Sequence, residues 1–119
     1  MLVARAFATV LEQRAKRVPA ALLAAARRPD AVQAVVSRGG RTDLAGDALD
    51  QMRAPTLQIV GGEDDAVLRL NREVSARLRC EQALTVVSGA THLFDEPGTL
   101  ELAADAARDW FERYLSPRA

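Results

Sequence analysis

This 119-residue chain has one histidine, one cysteine, one tryptophan and one tyrosine, and its aromatic content is only 4%. It also has no surplus of either charge sign, with Lys+Arg and Asp+Glu both at 16. Each scarcity excludes something. A single cysteine, Cys80, allows no internal disulfide and no multi-cysteine metal site. One histidine among scattered carboxylates does not make a tetrahedral N/S ligand set, so no metal and no cofactor is expected. Zero net charge argues against a nucleic-acid partner, which needs clustered positive charge to displace counterions. No apolar run is long enough for a membrane span. The glycine pairs at 39–40 and 61–62 belong to neither G-x-x-x-x-G-K nor G-x-G-x-x-G, so no phosphate loop is expected. With no signal pointing elsewhere, a cytoplasmic protein is expected.

What is present is a chain of single-domain length, 49% apolar and 27% charged. Val3, Ala6, Phe7, Val10 and Leu11 fall on one face of a helix over 2–17. Pro19 interrupts it, and PAALLAAARR (19–28) reads as a second helix that ends before Pro29. AVQAVVS (31–37), followed by Gly39-Gly40, and TLQIVGG (56–62) and ALTVVSG (83–89), which end in glycine, are short β-branched runs, the signature of buried strands. Between them RGGRTDLAGD (38–47) reads as a loop, DALDQMR (47–53) as a short helix and AVLRLNREVSARLR (66–79) as a longer one. The last helix spans 99–115, with Thr99 as its expected N-cap and Leu100, Ala103, Ala107, Trp110, Phe111 and Tyr114 at helical spacing. Strands that alternate with helices predict an α/β fold. Its three layers would hold a parallel sheet of about three strands flanked by helices.

Parallel sheets place their chemistry at the carboxyl ends of the strands. Two of those ends carry reactive groups, GGEDD (61–65) and GATH (89–92). An aspartate after one strand and a histidine after the next is the chain order of the second and third members of a Ser…Asp…His triad. Asp64 is the first candidate acid and Asp65 its rival; His92 is the candidate base. As plain structure, Asp64 would cap the helix after it and His92 would be a polar loop residue.

Three stretches, RPDAVQAVVSRGGRTDLAG (28–46), APTLQIVGGEDDAVLRLNRE (54–73) and VVSGATHLFDEPGTLELAADAARDWF (86–111), resemble the C-terminal part of α/β-hydrolases. The resemblance is to dienelactone-hydrolase-like proteins, including a bacterial group fused to phosphoribosyltransferase domains. It spans residues 20–119 and leaves 1–19 as an N-terminal helix unrelated to the family. It implies the C-terminal half of an α/β-hydrolase fold, hydrolysis of a small-molecule ester or lactone, Asp64 as triad acid and His92 as triad base.

The same resemblance exposes a gap. The G-x-S-x-G nucleophile elbow has no match. Aligned with relatives, its place falls on Gln13-Arg14-Ala15-Lys16-Arg17, with alanine where the nucleophile belongs and no strand expected before it. Ser37, which follows a strand, is the best substitute, but Val35 stands where a small residue is required. Cys80 lies at the far end of its strand from the histidine. The expectation is a truncated hydrolase, inactive alone, or else a non-catalytic folded fragment or interaction module. An incomplete reading frame would give the same pattern. An uncovered edge on the 31–37 strand would invite self-association or a chain that supplies the missing half.

Overall fold

The structure, a computed structural model, describes residues 7–12 and 20–115, with side chains from 22 onward. Four strands form one parallel sheet in sequential order: β1 (Phe7–Glu12), β2 (Val32–Arg38), β3 (Thr56–Gly61) and β4 (Gln82–Val87). The helices are α1 (Ala20–Arg27), α2 (Asp65–Arg77) and α3 (Thr99–Tyr114), with a 3-10 segment over Thr42–Gln51. The three strands read from the sequence are β2, β3 and β4, so the expected parallel sheet flanked by helices is the architecture found.

Strand alternation divides the core in two. Val35 of β2 packs with Leu22, Ala25, Leu49, Met52 and Val74 under α1, the 3-10 segment and α2. Ala34 and Val36, with Leu57 and Ile59 of β3, face Ala103 and Trp110 of α3. β3 is buried along its whole length, whereas β4 is half-exposed and forms one margin of the sheet. Trp110 is tied to the sheet by its indole N–H, which donates to the Pro55 carbonyl at 3.2 Å.

Five expectations are corrected. The helix over 2–17 is not found: Phe7–Glu12 is a strand, parallel to β2, with Thr9 opposite Val35 and Val10 opposite Val36. Phe, Thr and Val are strand formers, and the backbone groups on that side of β2 would otherwise lack ladder partners. Pairing with a distant strand therefore outweighs local helical spacing. For the same reason a strand does precede the 13–17 stretch; that stretch lies outside the described residues. The loop read at 38–47 and the helix at 47–53 are largely one 3-10 segment, broken at Gly46, whose φ of 58° and ψ of −131° interrupt the helical path. At α3, Gly98 rather than Thr99 occupies the cap position, and the Thr99 hydroxyl donates instead to the Glu96 carbonyl at 2.7 Å. Leu100, expected on the packed face of that helix, is 50% exposed.

Candidate active site

β3 and β4 are adjacent, so the loops after them start side by side. They are stitched together by backbone hydrogen bonds: Gly62 N–H donates to the Val87 carbonyl and Glu63 N–H to the Ala90 carbonyl, both at 2.9 Å. The approach is close enough to require glycine. A Cβ on Gly61 would lie 2.4 Å from the Ala90 carbonyl oxygen, inside van der Waals contact with backbone that cannot swing aside. The paired glycines at the end of β3 thus let the histidine loop lie directly on the aspartate loop.

The result is a contact between the two candidate residues. The His92 ring nitrogen Nδ1 is 3.0 Å from Asp64 Oδ2, with the aspartate side chain 15% exposed and the histidine 35%. An ionised carboxylate only accepts, so against it Nδ1 is the donor, and Nε2 is the ring nitrogen turned away from Asp64. Asp64 does stand at the N-cap position of α2, yet its side chain makes no capping hydrogen bond. Its carbonyl serves the helix, accepting from Leu68 N–H at 2.9 Å, while its carboxylate serves the imidazole. Asp65 lies in the first turn of α2, exposed, where a negative charge complements the helix dipole. The structure brings Asp64, and not Asp65, to His92.

The loop after β2 completes the floor. Gly39 has φ +65°, and a Cβ there would stand 3.5 Å from His92 Nδ1 and 3.6 Å from Cε1. A side chain there would just touch the ring, and it is the left-handed backbone rather than space that favours glycine. Gly39 N–H donates to the Ile59 carbonyl at 2.7 Å, and Asn71, fully buried on α2, reaches across to hold the Gly40 carbonyl at 2.9 Å. Asn71 also donates to Thr42, whose hydroxyl donates to Gln58 Oε1; the Gln58 amide donates back to the Asn71 carbonyl and to Ser75. This buried polar cluster went unread in the sequence. Its signal was an asparagine in the row of apolar positions that α2 turns inward.

Neither substitute nucleophile reaches the pair. Ser37 is fully buried within β2, and its hydroxyl has no hydrogen-bond partner, so it is neither activated by His92 nor open to a substrate. Cys80 precedes β4 while His92 follows it; its thiol lies 3.9 Å from the Thr56 hydroxyl, and burial pushes its pKa up, away from nucleophilic thiolate. Cys80 borders a cavity of about 820 Å³ with Ala26, Asp50, Met52 and Arg79, but that cavity opens at the opposite end of the strands and meets neither Asp64 nor His92. Among the described residues no cluster of three metal-ligating side chains occurs, and no helix is long and apolar enough to cross a membrane.

With this geometry in view, the relatives take on meaning. A dienelactone hydrolase from Anabaena variabilis superposes with a TM-score of 0.80 at 52% identity, over 82% of this chain and 45% of its own. The fold is that of a dienelactone-hydrolase-like α/β-hydrolase. Est1E from Butyrivibrio proteoclasticus, solved with ferulic acid, shares this fold at a TM-score of 0.69 and 18% identity, over 82% of this chain and 55% of its own. Two curated relatives from Mycobacterium tuberculosis strains, provisionally named phosphoribosyl transferases, are 59% identical over 96 residues. The match takes in 81% of this chain but spans only 22% of each relative's length. No protein-family model matches the chain.

Proposed function

We propose that this chain carries the acid and base of a Ser-His-Asp hydrolase, Asp64 and His92, and that the nucleophile they serve comes from sequence outside it. The observation that carries the reading is the 3.0 Å contact between Asp64 Oδ2 and His92 Nδ1, at the carboxyl ends of two neighbouring parallel strands. In that arrangement the carboxylate fixes the imidazole tautomer and stabilises the imidazolium. Nε2 then takes the proton of an attacking hydroxyl and later gives it to the leaving group. A small ester or lactone is the substrate class, since the similar Anabaena protein is named a dienelactone hydrolase and the Est1E structure holds ferulic acid. Triad members act as a unit, so the pair without its serine retains little of the rate.

The outer edge of β1 is where a second chain would join, because β1 ends the sheet and its far side has no ladder partner among the described residues. Self-association or a complementing chain would both use that edge. The test is complementation. Mixed with the N-terminal portion of the Anabaena hydrolase, the chain is expected to gain hydrolysis of a p-nitrophenyl ester, and His92→Ala to abolish the gain. Complex formation without activity would sink the catalytic reading and leave an interaction module.

A further inference from the structure

His92 lies on a loop from Ser88 to Gly98 that has no helix or strand of its own and must nonetheless hold an imidazole against Asp64. Three anchors keep it in place. The Ala90 carbonyl is bound by Glu63 N–H. Phe94, buried to 3% exposure and in the left-handed region at φ 57°, plugs the core below, with its N–H donating to the Thr91 carbonyl. The third anchor is Glu96. Both of its carboxylate oxygens go to one residue, Thr91: Oε1 accepts the Thr91 N–H at 3.1 Å and Oε2 accepts the Thr91 hydroxyl at 2.8 Å.

Glu96 is itself fixed at the other end. Its carbonyl accepts both the N–H of Thr99, at 3.1 Å, and the Thr99 hydroxyl, at 2.7 Å, at the start of α3. A strut thus runs from the beginning of a 16-residue helix, through the Glu96 side chain, to the residue immediately before His92. The two hydrogen bonds from Thr91 hold the Glu96 carboxyl below its ordinary range, the hydroxyl contributing most and the backbone N–H next. Two bonds onto two atoms of one residue fix orientation as well as position, as a single bond does not.

We propose that Glu96 is a positioning residue for His92: by clamping Thr91 at both its N–H and its hydroxyl, it sets the backbone from which the imidazole reaches Asp64. The proposal rests on the reading of Asp64 and His92 as acid and base. It differs in kind from the glycine and Phe94 contacts, because Glu96 is only part-buried and acts through hydrogen bonds rather than apolar packing.

The single histidine makes the test direct, since the ring-nitrogen NMR spectrum of the whole chain contains one imidazole. With the ring neutral, two-bond nitrogen–proton correlations report which nitrogen carries the proton. In the unaltered chain the Nδ1–H tautomer is expected to dominate, and Asp64→Asn to remove that preference. If Asp64→Asn leaves the tautomer unchanged, the acid–base reading itself falls. If it responds as expected, Glu96→Ala is decisive: loss of the Nδ1–H preference, partly restored in Glu96→Gln, which keeps one acceptor oxygen, supports the strut. An unchanged tautomer in a folded Glu96→Ala chain overturns it, even where Thr91 N–H exchange quickens. Should Glu96→Ala fail to fold, Thr91→Val removes the hydroxyl arm alone. A smaller shift in the same direction is then expected, and no shift overturns the proposal.

Discussion

The carboxyl ends of β3 and β4 and those of β1 and β2 have the same parallel topology and opposite contents. At β3 and β4 the backbones approach within reach of two direct hydrogen bonds, and the carboxylate that a helix N-terminus would ordinarily use as a cap is turned to an imidazole instead. At β1 and β2 the equivalent chemistry is missing. The only hydroxyl at the end of β2, Ser37, is buried and without a partner, and the sequence after β1 runs Gln13-Arg14-Ala15-Lys16-Arg17. The lesson is that a strand end becomes a reactive site only when its loop geometry and its side chains agree. Here one half of the sheet brings a carboxylate and an imidazole into contact, and the other ends in a buried serine and a stretch without the G-x-S-x-G pattern.

The contrast breaks most severely at Gly61. Gly61→Ala forces a methyl group onto the Ala90 carbonyl and pushes the histidine loop off the aspartate loop. The expected cost is about 1–3 kcal/mol, the usual range for overpacking, read from denaturant midpoints, together with loss of the Nδ1–H signature of His92. A variant as stable as the parent would mean that the two loops are not held at contact distance.

Ser37 sharpens the other side of the comparison. A buried hydroxyl without a partner is a liability, so Ser37→Ala is expected to be neutral or to stabilise by up to about 1 kcal/mol. Destabilisation beyond that in thermal unfolding would show that the hydroxyl is held by something the described residues do not supply. The smallest effect belongs to Cys80. Its thiol is pushed up by burial and lies partly covered, so alkylation by iodoacetamide at neutral pH is expected to be slower than for a small thiol and to quicken on unfolding. Equal rates folded and unfolded would contradict its placement.

Much of this molecule is legible in its residues. β2, β3 and β4 are β-branched runs closed by glycine or by the turn that follows, and α2 and α3 carry apolar residues at 3.6 spacing, so local pattern and tertiary structure agree. The meeting of Asp64 and His92 is legible because both follow neighbouring parallel strands, whose carboxyl ends bring their loops together. Phe7–Glu12 is not: Phe7, Val10 and Leu11 fit a helical face, and only the unpaired side of β2, far along the chain, decides for a strand. The Glu96 clamp was hidden for a related reason. Glu96 sits in an acidic turn, DEPG, that reads as solvent-facing, and its role depends on a loop that folds back five residues to Thr91. Gly39 looked like a turn residue; that it backs an imidazole follows only from the packing of three loops.

The central proposal is that the Asp64–His92 pair is the acid and base of a hydrolase whose nucleophile lies outside this chain. The most direct test is to treat the folded chain with a fluorophosphonate probe and map any adduct by mass, beside His92→Ala. No labelled serine is the result this account predicts. A serine labelled in the parent and spared in His92→Ala would contradict it, for a working nucleophile would then lie within these 119 residues.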